Sequence, residues 1–161
     1  MSTFLRAIEF LGLSLWLGSD VFLSFVVAPG AFRILSCRDQ AGAMVGHSLN
    51  VLHLGGIVCG LLILLARLAR TKTFASLATP AGLCIVLMIA LTVISQYTVS
   101  AKMAVLRVQM GSIQAASADS PLLAEFSRLH GISVSLESGV LLAGLATMYL
   151  MVCEFTAMTP S

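Results

Sequence analysis

In the stretch LHGISVSLESG (129–139), Glu137 follows His130 by seven residues, with Ser133 between them. Offsets of three and seven put all three on one stripe of a helix. Similar residue types recur in other apolar runs: Asp20 in LWLGSDVFL, His47, Asn50 and His53 in GHSLNVLHLGG, and Gln96 in VISQYTV. Imidazoles and carboxylates set in apolar surroundings can bind or pass a proton. They can also hold zinc, iron or manganese in preference to copper(I), and two facing histidines can ligate a haem.

The elements that carry these residues follow from composition. The chain has 161 residues, 58% hydrophobic and 10% charged, with a mean hydropathy near +1. Soluble domains carry about 25% charged residues, so this chain has too little polar surface to coat a globule in water. It reads as an all-α integral membrane protein. A net charge of +2 with no basic block gives nucleic acid nothing to hold. The cysteines at 37, 59, 84 and 153 form no C-x-x-C pair, which argues against a disulfide framework or a zinc knuckle. The sequence holds no Ser-His-Asp set, glycine-rich phosphate loop or H-E-x-x-H, so no enzyme is expected.

A membrane-spanning helix needs about 20 mostly apolar residues, and four stretches meet that length: 4–28, 43–66, 79–99 and 129–153. They make one four-span domain, a four-helix bundle over residues 1–161 with both termini on one face, side A. The other face is side B. Pro29-Gly30 is expected to stop the first helix, and Ser36 with Asp39 resembles a capping box for the second. Thr79-Pro80 and Ser120-Pro121 read as N-caps followed by proline at the first helical position. The basic run ARLARTK (66–72) suits the end of helix two and the lipid surface. GSIQAASADS (111–120) reads as a small-residue linker.

Pro121 to Phe155 is 35 residues, about 52 Å of helix against a hydrocarbon core of about 30 Å. Helices three and four should therefore protrude on side B as a hairpin unless Gly131 bends the fourth. Gly131, Ser135, Gly139 and Ala143, like the pairs Gly42-Gly46 and Gly56-Gly60, repeat at the four-residue interval that lets membrane helices approach closely. Lysine and arginine divide as Arg6, Arg67, Arg70 and Lys72 on side A against Arg33, Arg38, Lys102, Arg107 and Arg128 on side B. That balance does not set orientation by the positive-inside rule.

Counting from each span's centre at about 1.5 Å per residue places Asp20, His47, Asn50, His53, Gln96, His130 and Glu137 in the side-B half. Glu9 is the comparable group on side A. A charge at mid-helix costs about 2.5–3.5 kcal/mol on insertion scales, so such groups face the bundle interior. The expectation is a polar pocket opening to side B, lined by Asp20, Asn50, His53, Gln96, His130 and Glu137. Asp20 and Glu137 lie near one depth and would share a proton or a cation.

Three functions fit these residues. The first is handling or sensing of a small cationic or protonatable solute, with the metal, if any, and the cofactor unspecified. The second is a non-catalytic subunit or assembly factor, with Arg33, Arg38, Lys102, Arg107 and Arg128 docking a membrane-protein partner or a second copy. The third is a haem b or quinone-binding redox anchor. For haem, His47 and His130 differ by only about 4 Å in depth, whereas His53 and His130 differ by about 13 Å. In all three the chain contacts the lipid bilayer and is expected to be multi-pass in a bacterial inner membrane.

LWLGSDVFLSFVVAPGAFRIL (15–35), QAGAMVGHSLNVLHLGG (40–56) and FSRLHGISVSLESGVLLAGL (126–145) resemble the four-span family of transmembrane protein 205. Its bacterial relatives are filed as domain of unknown function 4149. The resemblance is carried most specifically by Trp16 with Gly18, Phe32-Arg33, Ala41-Gly42, His53 and the run Phe126-x-Arg128-x-His130-Gly131-x-Ser133. It implies a membrane location, a four-helix fold and His53, Arg128 and His130 as family features. It implies no agreed activity, although members are discussed in connection with solute or metal-drug tolerance. Asp20 and Glu137 match no position of that pattern.

Overall fold

A computed structural model describes residues 2–117 and 119–157. Four helices account for nearly all of them: α1 Thr3–Ile34, α2 Arg38–Thr71, α3 Pro80–Met110 and α4 Pro121–Thr156. Each is long and apolar enough to cross a membrane. The chain is a multi-pass integral membrane protein, an all-α bundle whose apolar outer faces meet lipid. The helices are 31 to 36 residues long, about 46–54 Å at 1.5 Å per residue. All four, and not helices three and four alone, outlast a hydrocarbon core of about 30 Å.

Proline does not end the first helix. A π-helical turn, Leu23–Val27, precedes Pro29, and α-helix resumes from Ala28 to Ile34. Proline lacks an N–H, and its ring clashes with the carbonyl four residues back. A widened turn just ahead of it is one way a helix continues past that obstacle. The backbone turns extended only at Leu35, with ψ 127°.

The expected capping box at Ser36 and Asp39 does not form: Cys37 is the N-cap of α2 and makes no side-chain cap bond. Asp39 instead holds the 111–120 segment. Its carboxylate accepts from Ser112 Oγ at 2.6 Å and from the backbone N–H groups of Ile113 and Gln114 at 2.8 and 3.4 Å. Gln114 Oε1 accepts in return from the Arg38 N–H at 3.1 Å. The linker is thereby pinned to the start of α2.

At the other face, α2 ends at Lys72, whose φ of 57° is left-handed, and a 3-10 turn, Phe74–Ala78, follows. Thr79 caps α3 by accepting from the Gly82 N–H at 3.3 Å, with Pro80 in the first turn. Pro121 likewise opens α4, but Ser120 supplies no cap bond.

The helices pack in a ring: α1 on α2, α2 on α3, α3 on α4, and α4 on α1. The diagonal pairs make no close backbone contact. Leu13, Trp16, Leu17, Ile63, Ile85, Met88 and Val140 form the core. Glycine matters where this ring is tight. A Cβ on Gly60 would lie 2.8 Å from Trp16 and 2.7 Å from Ile89. In α4 the tightest approach is at Gly144, against Leu17 and Met88. Gly131 and Ser135, at the start of the expected small-residue stripe, are exposed.

Candidate functional site

A hydrogen-bonded network joins α2, α3 and α4 in the side-B half. His53 on α2 is 1% exposed. Its Nε2 lies 2.7 Å from Glu137 Oε1 on α4, and its Nδ1 lies 2.7 Å from Gln96 Oε1 on α3. Ser95 Oγ donates to the same Glu137 oxygen at 2.9 Å. Gln96 Nε2 donates to Asn50 Oδ1 on α2, and Asn50 is exposed. A chain of polar groups therefore runs from the protein surface to the bundle interior.

Asp20 completes the set from α1, near enough to Glu137 and His53 to feel their charge. It is 2% exposed. Oδ1 accepts from Ser24 Oγ at 3.3 Å, whereas Oδ2 is buried with no hydrogen-bond partner. Such orphaned atoms are rare in folded proteins and cost free energy.

Both helices with irregular turns carry them here. Ser95–Ser100 is π-helical and delivers Ser95 and Gln96; Leu23–Val27 begins three residues after Asp20. Widened turns of this kind are frequent at functional sites.

The structure brings Asp20, Asn50, His53, Gln96 and Glu137 together and leaves His130 outside. His130 is exposed, contrary to the inward placement expected for it. The buried stripe of α4 passes through Leu129, Ser133, Val140, Gly144, Thr147 and Met151. At 100° per residue, His130 sits roughly 80° round from the centre of that stripe, and Glu137 about 60°. Glu137 reaches back through its longer side chain.

His47 is also exposed, so neither histidine expected as an axial ligand faces the interior, and both nitrogens of His53 are already engaged. Among the described residues no group of three or more His, Cys, Asp and Glu side chains is placed to hold a metal ion.

Polar burial is not confined to side B. Glu9 and Arg67 are each 2% exposed. Arg67 Nη1 lies 3.4 Å from Glu9 Oε2, Nε donates to the Ser76 carbonyl at 3.1 Å, and Nη2 bonds Thr79 Oγ1 at 2.8 Å and Glu154. Arg70 Nε donates to Glu9 Oε1 at 2.8 Å. This corrects the one-sided distribution expected. Depth counting puts Arg67 at the interface as a helix-end cation; the turn Phe74–Ala78 folds over it and removes it from water. The signal available is an acid in one apolar helix and a base in the next, with nothing local to connect them. The two layers repeat one pattern: an α1 carboxylate, an α2 cation-former and an α4 carboxylate, as Glu9–Arg67–Glu154 and Asp20–His53–Glu137.

Of the cations expected to dock a partner, Arg33, Arg38, Lys102 and Arg128 are exposed. Arg128 pairs with Glu125 at 2.9 Å. Arg107 is turned inward instead, its guanidinium 5.8 Å from the Phe126 ring centroid and facing Gly46. Glycines on α2 leave room for that long side chain. Separately, a cleft of about 350 Å³ lies between α1 and α2 and includes Trp16, Ser19, Phe22, Ser48, Gly55 and Gly56 in its lining.

A family model described as a domain of unknown function, DUF4149, matches residues 11–112. That span includes Asp20, Asn50, His53 and Gln96, and ends before α4, which supplies Glu137, Arg128 and His130. No curated protein matches the chain, and no solved structure does.

Proposed function

The chain belongs to the DUF4149 family, and from that premise we propose that it is a non-enzymatic membrane protein that handles or senses a proton or another small cation at Asp20, His53 and Glu137. The observation that carries this reading is His53, held at 2.7 Å on both sides by oxygen atoms. An imidazolium, with hydrogen on both ring nitrogens, satisfies both of these oxygens. A neutral ring needs a donor on one side. Gln96 can provide it by rotating its amide, and Asn50 can rotate in response, so the chain of bonds has two self-consistent arrangements one proton apart. Apolar packing below the network, around Leu17, Met88 and Val140, separates it from the second charged layer.

The test is proton exchange by protein reconstituted in liposomes, followed with a pH-sensitive dye and by infrared difference spectra across a pH step. The wild type should take up and release about one proton per chain, and His53→Gln and Glu137→Gln should abolish that signal. Equal proton exchange in all three would overturn the proposal.

A partner-binding role is a second reading, supported by Arg33, Arg38, Lys102 and Arg128 exposed at the side-B end. Rim cations of this kind steer association with anionic surfaces. The partner would be a membrane protein or a second copy, and a helical bundle suits the inner membrane of a bacterium. Co-purification at fixed stoichiometry, lost when these four are neutralised, is the check.

A further inference from the structure

Among the described residues, two buried side-chain polar atoms lack a hydrogen-bond partner: Asp20 Oδ2, beside the polar network, and Arg107 Nε. Arg107 lies near the side-B end of α3 and reaches across to α2, where two glycines make room for it. A Cβ on Gly46 would lie 3.3 Å from Nη1, and one on Gly42 would lie 3.5 Å from Nη2. The Phe126 ring of α4 covers the flat face of the guanidinium, its centroid 5.8 Å away.

An aromatic ring engages the face of such a cation and leaves its in-plane N–H groups in need of acceptors. The chain supplies none. Among the described residues Arg107 makes no hydrogen bond and no ion pair, whereas Arg67, Arg70 and Arg128 each bind a carboxylate. Asp39 is near enough to feel the charge of Arg107, but its oxygens accept instead from Ser112, Ile113 and Gln114. The buried Nε holds the group in one orientation, while the two Nη atoms, equally unbonded, are not enclosed.

Depth says what meets them. Gly42 and Gly46 fall about 20 and 14 Å from the centre of α2. They straddle the edge of a hydrocarbon core about 15 Å in half-thickness, the level at which lipid headgroups begin. We propose that Arg107 binds the phosphate of an anionic phospholipid there. Two phosphate oxygens accept from the paired Nη–H groups, a fork that a guanidinium offers and an ammonium does not. Exposed Arg38, Lys102 and Arg128 at the same end draw anionic headgroups to this surface, and Arg107 fixes one of them. Inorganic phosphate carries the same oxygens; the depth favours the lipid, whose phosphate already resides at that level.

The full chain in detergent is titrated with phosphatidylglycerol, alone and against inorganic phosphate, and bound lipid is counted by native mass spectrometry. The wild type should retain one phosphatidylglycerol per chain most tightly. Arg107→Gln should weaken that binding on the order of tenfold, and Arg38→Gln, which neutralises an exposed cation, should change it little. Gly46→Leu keeps every charge but displaces the guanidinium, and should weaken binding as Arg107→Gln does. Circular dichroism checks that each variant keeps its helices. Equal losses in Arg107→Gln and Arg38→Gln overturn the proposal, because they mark a diffuse charged surface. So does full retention in Gly46→Leu. Displacement of the lipid by equimolar inorganic phosphate would make the free ion the ligand and overturns it too.

Discussion

His53 and Glu137 meet at 2.7 Å across a diagonal of the bundle, although the backbones of α2 and α4 make no close contact. The pair therefore acts as a cross-brace through the centre, and its loss should be felt by all four helices. Removing one partner of a hydrogen bond to a charged group costs about 1.5–3 kcal/mol. We expect Glu137→Ala to lower stability by about that amount in detergent unfolding, and Glu137→Gln by less. A double-mutant cycle with His53→Gln should give a coupling of about 0.5–3 kcal/mol. Additive single effects would show that the brace carries no energy.

Asp20 should behave in the opposite sense. Its Oδ2 is buried without a partner, and a carboxylate near Glu137 repels it. Asp20→Asn keeps the shape and removes the charge. The variant should be at least as stable as the wild type, by about 0–2 kcal/mol, while losing the proton-linked signal. A marked loss of thermal stability in Asp20→Asn would mean that the carboxylate is a structural group.

The side-A layer is expected to be the more costly one to break. Arg67 satisfies Glu9, Glu154, Thr79 and the Ser76 carbonyl with one guanidinium. Arg67→Met leaves Glu9 to Arg70 alone and deprives Glu154 of its bond to Arg67, and breaking a buried pair costs up to about 3–5 kcal/mol. Arg67→Lys should recover little, because an ammonium cannot reproduce the planar fork. Thermal unfolding of the three proteins in one detergent makes the comparison.

Much of this is legible in the amino-acid sequence, and the physical reason differs by residue. The four spans follow from run length, since only helices bury their own backbone in lipid. Asp20, Asn50, His53, Gln96 and Glu137 share a depth by simple counting, and the cost of facing them to lipid points them inward. Rotation about the helix axis is harder: His130 differs from Glu137 by only about 20° on a helical wheel, yet side-chain reach puts one inside and leaves the other out. Arg67 depends on a turn, Phe74–Ala78, whose placement no local pattern announces. Pro29 misleads because a π turn absorbs its steric demand.

Glycine substitutions separate packing from mere composition. An alanine in place of glycine gains up to about 1 kcal/mol of helix propensity, so sites with open space should be neutral or stabilised. Gly18 and Gly55 meet that condition, with nothing within 4 Å of where the added methyl would sit. At Gly60 the same methyl would press Trp16 at 2.8 Å and Ile89 at 2.7 Å, and overpacking of this sort costs about 1–3 kcal/mol. Gly60→Ala should therefore lower the unfolding midpoint and shift Trp16 emission, while Gly18→Ala and Gly55→Ala do neither. If Gly60→Ala proved as stable as Gly55→Ala, the close approach of α1, α2 and α3 around Trp16 would have to be looser than the ring packing requires.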